Sequence, residues 1–203
     1  MITLYHAPQS RSSRIIWLLE EIGVPYVIRP VSIYRPMIGT GEPDADNPHP
    51  DRRVPALDHD GVLITESVAI VLHLCEAFPQ ARLAPAVGDL RRGAFLTWIA
   101  WYACELEPAL FAGLTGELAG SPQKRRDHEA VMQRLETALT HAPYVMGESF
   151  SGADLLIGSA LGYGRQAFPA SDVLDAYVTR CKERPAAIRG LALDGAAGPH
   201  GGR

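Results

Sequence analysis

Three serines and two arginines crowd the stretch APQSRSSR at residues 7–14. Ser10, Ser12 and Ser13 are hydroxyl donors and Arg11 adds positive field, immediately before an apolar run with helical spacing. Hydroxyls, a cation and the unpaired N–H groups of a helix start together stabilise negative charge on a bound atom. The same serines also suit a plain helix cap. A second polar group lies in RRVPALDHDGVLITESVAI, residues 52–70, where Glu66 and Ser67 fall at the change from strand to helix spacing. Ser67 and its neighbouring N–H groups form an anion site suited to a carboxylate, and Glu66 can accept from an ammonium. On spacing alone, Thr65 or Ser67 is equally a helix cap and Glu66 a first-turn acid favoured by the helix dipole. Pro55 stands between an arginine-rich loop and a strand start, where its missing N–H is tolerated.

The elements that must position these groups follow from periodicity. ITLY is short and β-prone, and SRSSRIIWLLEEIGVP then takes helical spacing through Ile15, Ile16, Leu18, Leu19 and Ile22, with Gly23 and Pro25 as stops. YVIRPV reads as a second strand, parallel to the first through a right-handed crossover. Residues 34–53 are rich in breakers and read as an irregular segment with at most a turn of helix. PALDH and VLIT flank Asp60-Gly61, a hairpin signal, and SVAIVLHLCEAF is helical as far as Pro79. The result is a small mixed four-stranded sheet ending near residue 80.

From residue 87 strand signals disappear. The run beginning LRRGAFLTWIAWYACELEPAL is a long helix interrupted at Pro108, and PQKRRDHEAVMQRLETALTHA, SGADLLIGSALGYGRQ and SDVLDAYVTRCKERPA follow as three more, the last stopped by Pro185. The tail GLALDGAAGPHGGR is Gly-rich and without periodicity, and is expected to be mobile. The division is residues 1–80, a linker at 81–86, and a helical part at 87–203.

Composition narrows the function. The chain has 203 residues, 47% hydrophobic, and a net charge of −4, a soluble globular composition with no broad basic surface for nucleic acid. Cys75, Cys104 and Cys181 are odd in number and form no C-x-x-C, and the seven histidines lack ligand spacing, so neither a disulfide framework nor a metal site is expected. No apolar run approaches a membrane span and no basic-then-apolar leader opens the sequence, so a cytoplasmic protein with no membrane partner is expected.

Over nearly its whole length the sequence resembles the cytosolic glutathione transferases. LYHAPQSRSSRIIWLLEEIGVPY is similar to their opening strand, Ser-bearing loop and first helix. HPDRRVPALDHDGVLITESVAI is similar to NPxGKVPxLxDxxxxLxESxAI, and FSGADLLIG to the FTxAD helix start. The resemblance implies a thioredoxin-like N-terminal domain of order β-α-β-α-β-β-α followed by an all-α domain, with glutathione as co-substrate and a two-fold homodimer. It also implies that the Val54–Pro55 bond is cis, so that Val54 presents its backbone to the peptide as an added strand. Glu66 and Ser67 then take the γ-glutamyl end, and Arg53 stands where the family has Lys, facing the glycyl carboxylate.

For the thiol, Ser10 lies four residues before Arg14, the Ser-x-x-x-Arg spacing of serine-type members. Ser10 is therefore the first choice of donor and Ser12 the second, with Arg11 adding field. No Cys occupies the loop, which disfavours a mixed-disulfide mechanism. Tyr5 is expected to pack in the core, His49 to be a solvated loop histidine, and Ser151 with Asp154 to form a capping box, stapled by Phe150 and Leu155. The electrophile pocket of this architecture points to Tyr102 and Trp98, residues whose helical spacing suits a core equally well. The implied activity is attack of the glutathione thiolate on small apolar electrophiles, as in detoxification. The alternatives are a glutathione-dependent isomerase or reductase, or a non-catalytic module of the same fold.

Overall fold

The computed structural model describes residues 1–196, which divide into two compact units: Met1–Ala81 with the chain from Pro185 onward, and Arg82–Arg184. The first unit holds β1 (Ile2–His6), α1 (Ser13–Ile22), β2 (Tyr26–Pro30), β3 (Ala56–His59), β4 (Val62–Thr65) and α2 (Ser67–Ala77). The sheet order is β2-β1-β3-β4. β1 runs parallel to β2, with Leu4 opposite Ile28, and antiparallel to β3, with Leu4 opposite Leu57. This is the expected thioredoxin-like sheet. Its hairpin turns at Asp60 and Gly61, whose φ values of 54° and 85° are those of a type I′ turn.

Alternation in β1 buries Ile2, Leu4 and His6 on one face; Ile15, Ile16, Leu18 and Leu19 of α1 and Ile70, Val71 and Leu74 of α2 are buried in the same unit. Gly23 ends α1 in the left-handed region, φ 74°, with its N–H on the Leu19 carbonyl at 2.9 Å.

Two features differ from expectation. No helix lies between β2 and β3: that stretch is irregular, pinched by a backbone bridge between Arg35 and Thr40. The second helix of the expected β-α-β-α-β-β-α order is therefore absent; the stretch keeps a single helical turn, the Gly39 N–H on the Arg35 carbonyl at 2.9 Å, as its breakers led one to expect. The tail reading is also overturned where it can be followed. Pro185 begins a helix, α8 (Pro185–Ala196), where its fixed φ and missing N–H suit the first turn. α8 packs on α1 in the first unit, although the sequence reading grouped it with the helical half. Gly190 serves that packing: a Cβ there would sit 3.1 Å from the Cα of Trp17. Arg189 adds an ion pair, Nε to Glu20 Oε2 at 2.6 Å. Residues 197–203 of the tail lie outside the described residues.

The second unit is helical: α3 (Arg92–Trp101), α4 (Glu107–Leu114), α5 (Pro122–His141), α6 (Gly152–Gly164) and α7 (Asp172–Lys182). The interruption at Pro108 takes a specific form. A π-helical turn at Tyr102–Leu106 links α3 to α4, with the Glu107 N–H bonded five residues back to Tyr102, and Pro108 sits in the first turn of α4. α6 is buried nearly all round, and its Asp154, fully buried, accepts from the N–H groups of Val145 (2.8 Å) and Ser151 (3.0 Å) and from the hydroxyls of Ser151 (2.8 Å) and Tyr177 (3.1 Å). The capping box is present and Asp154 belongs to folding. Among the described residues no helix is long and apolar enough to cross a membrane, and no three His, Cys, Asp or Glu are grouped to hold a metal.

Candidate functional site

The serine loop runs from the end of β1 to the start of α1 and is gripped from two sides. Gln9 sits at φ 53°. Its N–H donates to the carboxylate of Asp194 on α8 at 3.1 and 3.3 Å, and the Ser13 hydroxyl donates to the same group. From the irregular segment, the Arg35 guanidinium donates to the carbonyls of Pro8 at 2.6 Å and Gln9 at 3.2 Å. An anion thus takes the amide of this peptide pair and a cation its carbonyls, which fixes a backbone conformation that Gln would otherwise rarely adopt.

Inside this grip the three hydroxyls part company. Ser12 is fully buried, with Oγ 2.8 Å from Nδ1 of His6, 3.2 Å from the Ala7 N–H and 2.7 Å from Oγ of Ser10. Although Ser12 occupies the N-cap of α1, its side chain makes no cap bond. Ser10 is half-buried: its Oγ lies 2.7 Å from the Ala7 carbonyl and accepts the Ser12 N–H at 3.2 Å. Arg11 is exposed. Of Ser10 and Ser12, the one with a solvent-facing side is the one chosen from the Arg14 spacing.

His6 was not marked by the sequence reading. A polar residue in phase with Ile2 and Leu4 on the core face of a strand was the available signal, since such a group needs a partner. Its Nε2 is buried without a hydrogen bond; the closest anionic group is Oδ1 of Asp194 at 3.4 Å, near enough for charge attraction but outside bonding geometry. Burial pushes the imidazole below its usual range; Asp194 opposes that shift and Arg35 adds to it. Tyr5, on the opposite face, packs with Ala7, Val31, Val54 and Ile33, as expected.

The loop leading to Val54 is organised by its own polar residues. Asn47, fully buried, donates from Nδ2 to the Arg53 carbonyl at 3.0 Å, and its Oδ1 accepts the His49 N–H at 3.0 Å. His49 is a correction: it is 5% exposed rather than solvated, and its Nδ1 accepts the Asp51 N–H at 3.0 Å. Burial lowers its pKa, with Arg53 acting in the same sense. Arg52, at φ 53°, reaches back to the carbonyls of Ala45 and Asn47, and Arg53 is exposed and paired with Asp51. Val54–Pro55 is cis, as the resemblance implied, and the Val54 backbone has no hydrogen-bond partner among the described residues.

Glu66 precedes α2 at φ 66°, ψ 125°, a conformation that favours glycine. Its side chain makes no cap bond and is exposed. Ser67, the first residue of α2, is 7% exposed, and its hydroxyl is a buried polar atom with no partner among the described residues. For the cap alternative, the N-cap position falls on Glu66 and not on Thr65 or Ser67, with no side-chain cap bond there, and the Ser67 hydroxyl makes none among the described residues. What stands at this helix start is a strained backbone and an unused hydroxyl, the pattern of a ligand clamp.

The two pocket residues belong to the second unit. Tyr102 is 1% exposed and its hydroxyl donates to Glu107, a core placement. Trp98 is half-buried, edge-on to Trp101, with the Arg134 guanidinium 4.7 Å from its ring.

Comparison with known proteins agrees with this layout. Residues 4–82 match the family model "Glutathione S-transferase, N-terminal domain". The chain is 27% identical over 199 residues to glutathione S-transferase GstA of Escherichia coli O157:H7, covering 95% of this chain and 98% of that one. It is 30% identical to the probable glutathione S-transferase GSTF2 of Oryza sativa subsp. japonica, covering 81% of this chain and 80% of that one. Among solved structures it is similar to a sphingomonad glutathione S-transferase complexed with glutathione, with 25% identity, a TM-score of 0.77, and coverage of 95% and 98% of the two chains. The chain belongs to the glutathione S-transferase family.

Proposed function

We propose that this transferase binds glutathione along the first unit, with the thiol at Ser10, and adds it to small apolar electrophiles. The observation that carries the reading is the Ser67 hydroxyl, buried and unpartnered at the start of an eleven-residue helix, beside Glu66 at positive φ. A γ-glutamyl group supplies both complements: a carboxylate for Ser67 and the helix N–H groups, and an ammonium for Glu66. The unpaired Val54 backbone suits the cysteinyl peptide. Arg53 would take the glycyl carboxylate by leaving Asp51.

The thiol, with a pKa of ~8.5, is mostly protonated at neutral pH. Lowering it by two units requires about 2.7 kcal/mol. A hydroxyl bonded to a charged atom supplies about 1.5–3 kcal/mol, and a helix start about 0.3–1 more. One donor beside α1 suffices, and in this reading Ser10, half-buried at the end of the loop's line of hydroxyls, is that donor. A homodimer in a cytoplasmic setting completes the proposal by family likeness.

Retention on immobilised glutathione followed by turnover of an aromatic chloride tests the reading. Retention with turnover supports it. Turnover of cis-enoyl diacids instead would move the activity to an isomerase, and retention without turnover of either would leave a binding module.

A further inference from the structure

Ser10, Ser12, His6 and Asp194 form one line within the first unit. The contacts are Oγ to Oγ at 2.7 Å, Oγ to Nδ1 at 2.8 Å, and Nε2 to Oδ1 at 3.4 Å. Each of the two short contacts holds one hydrogen, and each serine owns one. In a neutral ring the nitrogen facing a carboxylate keeps the proton, so Nε2 carries it and Nδ1 accepts. Ser12 must then donate to Nδ1, and Ser10's one hydrogen is claimed by two acceptors, Ser12 Oγ and the Ala7 carbonyl, each at 2.7 Å. None is left on Ser10 for a thiolate. The other neutral tautomer would free the Ser10 hydrogen only by turning the Nε2 lone pair on the Asp194 carboxylate. With a proton on both ring nitrogens, Nδ1–H donates to Ser12 and Ser12 to Ser10, which releases Ser10's own hydrogen from the line; turned from the Ala7 carbonyl 2.7 Å away, it can reach sulfur.

We propose that His6, backed by Asp194, takes up the glutathione thiol's proton through the hydroxyls of Ser10 and Ser12 as the thiolate forms. The inference rests on the reading of Ser10 as the hydroxyl that meets the thiol. The S–H bond breaks and its proton joins Ser10 Oγ while Ser10's proton passes to Ser12 Oγ and Ser12's to His6 Nδ1. No electrons change hands. Once sulfur has bonded to the electrophile and lost its charge, the imidazolium returns its proton along the line to the leaving group or to water. The charged groups facing the ring are Asp194 from α8, which favours the imidazolium, and Arg35 from the segment between β2 and β3, which opposes it. Burial opposes it further, so the ring is neutral while the site is empty and gains its proton when an anion arrives two hydroxyls away. His6 and Asp194 do not touch the substrate; they act through the serines.

The test is nitrogen NMR of the full chain carrying isotope-labelled histidine, together with thiolate absorbance, at neutral pH. We expect one protonated ring nitrogen on His6 in the free protein and with S-methylglutathione, and two with glutathione. In Asp194→Asn the two-proton signature should fade and the bound thiol's pKa should rise by about one unit, a loss of roughly 1.4 kcal/mol. A glutathione complex that shows a thiolate band, lost in Ser10→Ala, while His6 stays neutral overturns the relay and leaves the Ser10 reading standing. A thiolate band absent, or unchanged in Ser10→Ala, overturns both. The wild-type spectra decide the relay even if Asp194→Asn folds poorly.

Discussion

Asp194 accepts the N–H of Gln9 at 3.1 Å across 185 residues of chain. The contact ties the serine loop to α8, and the loop's other anchor is Arg35. In Asp194→Ala, both the Gln9 amide and the Ser13 hydroxyl lose a charged acceptor in a half-buried setting. Stability should fall by about 1–3 kcal/mol. Hydrogen exchange should show the Gln9 amide deprotected while amides of β1 stay slow, which identifies a local loosening.

His6 makes stability depend on pH. Above ~6.5, the usual histidine value, the ring is neutral folded and unfolded, and contributes no slope. Below it the unfolded chain takes up a proton that the buried ring, with its lowered pKa, refuses. Stability of the glutathione-free protein should therefore fall as pH drops from ~6.5 to the folded-state value and level off beneath it. Urea midpoints between pH 5 and 8 should show this component of the slope in wild type and its loss in His6→Gln; equal slopes would contradict the assignment.

Asp154 gathers four donors in a fully buried position. Asp154→Ala strands two N–H groups and two hydroxyls, and should cost roughly 3–5 kcal/mol, the range for removing one partner of a buried charged network. Asp154→Asn should cost less, because its carbonyl still accepts. Urea unfolding of the two variants gives the order.

Much of the first unit could be read from local chemistry. The Asp60-Gly61 turn, the Val54–Pro55 bond and the handover at Glu66–Ser67 each depend on a residue type at a fixed position, so the motif carried the geometry. α8 could not be read, because its signal is inverted: Pro185 stops one helix and starts the next, and Gly190, which looks like part of a flexible tail, allows close approach to Trp17. Asp194 was hidden because its role depends on a contact across 185 residues of chain, whereas His6 carried a signal, a polar residue in phase with the buried side of β1. Asn47 and His49 look like loop polarity until burial shows that they are the loop's internal scaffold. The π-helical turn before Pro108 was visible only as a break.

The strain at Glu66 predicts opposite effects on stability and binding. Glu66→Gly relieves a conformation worth roughly 1–3 kcal/mol, offset by about 0.4–1 kcal/mol for the freer unfolded chain, so the ligand-free protein should be equally stable or slightly more so. Calorimetry should find its glutathione affinity reduced at least tenfold. In Glu66→Ala combined with Ser67→Ala, binding heat should vanish while the fold survives. Unchanged affinity in that double variant would remove both residues from the site.

The central claim is that the Ser10 hydroxyl holds the glutathione thiol as its anion. The direct measurement is thiolate absorbance of bound glutathione titrated against pH, in wild type and in Ser10→Ala. Losing a bond worth about 1.5–3 kcal/mol should raise the bound thiol's pKa by roughly one to two units, with turnover at pH 7 falling tenfold or more and recovering at high pH. Superimposable titrations would contradict the account.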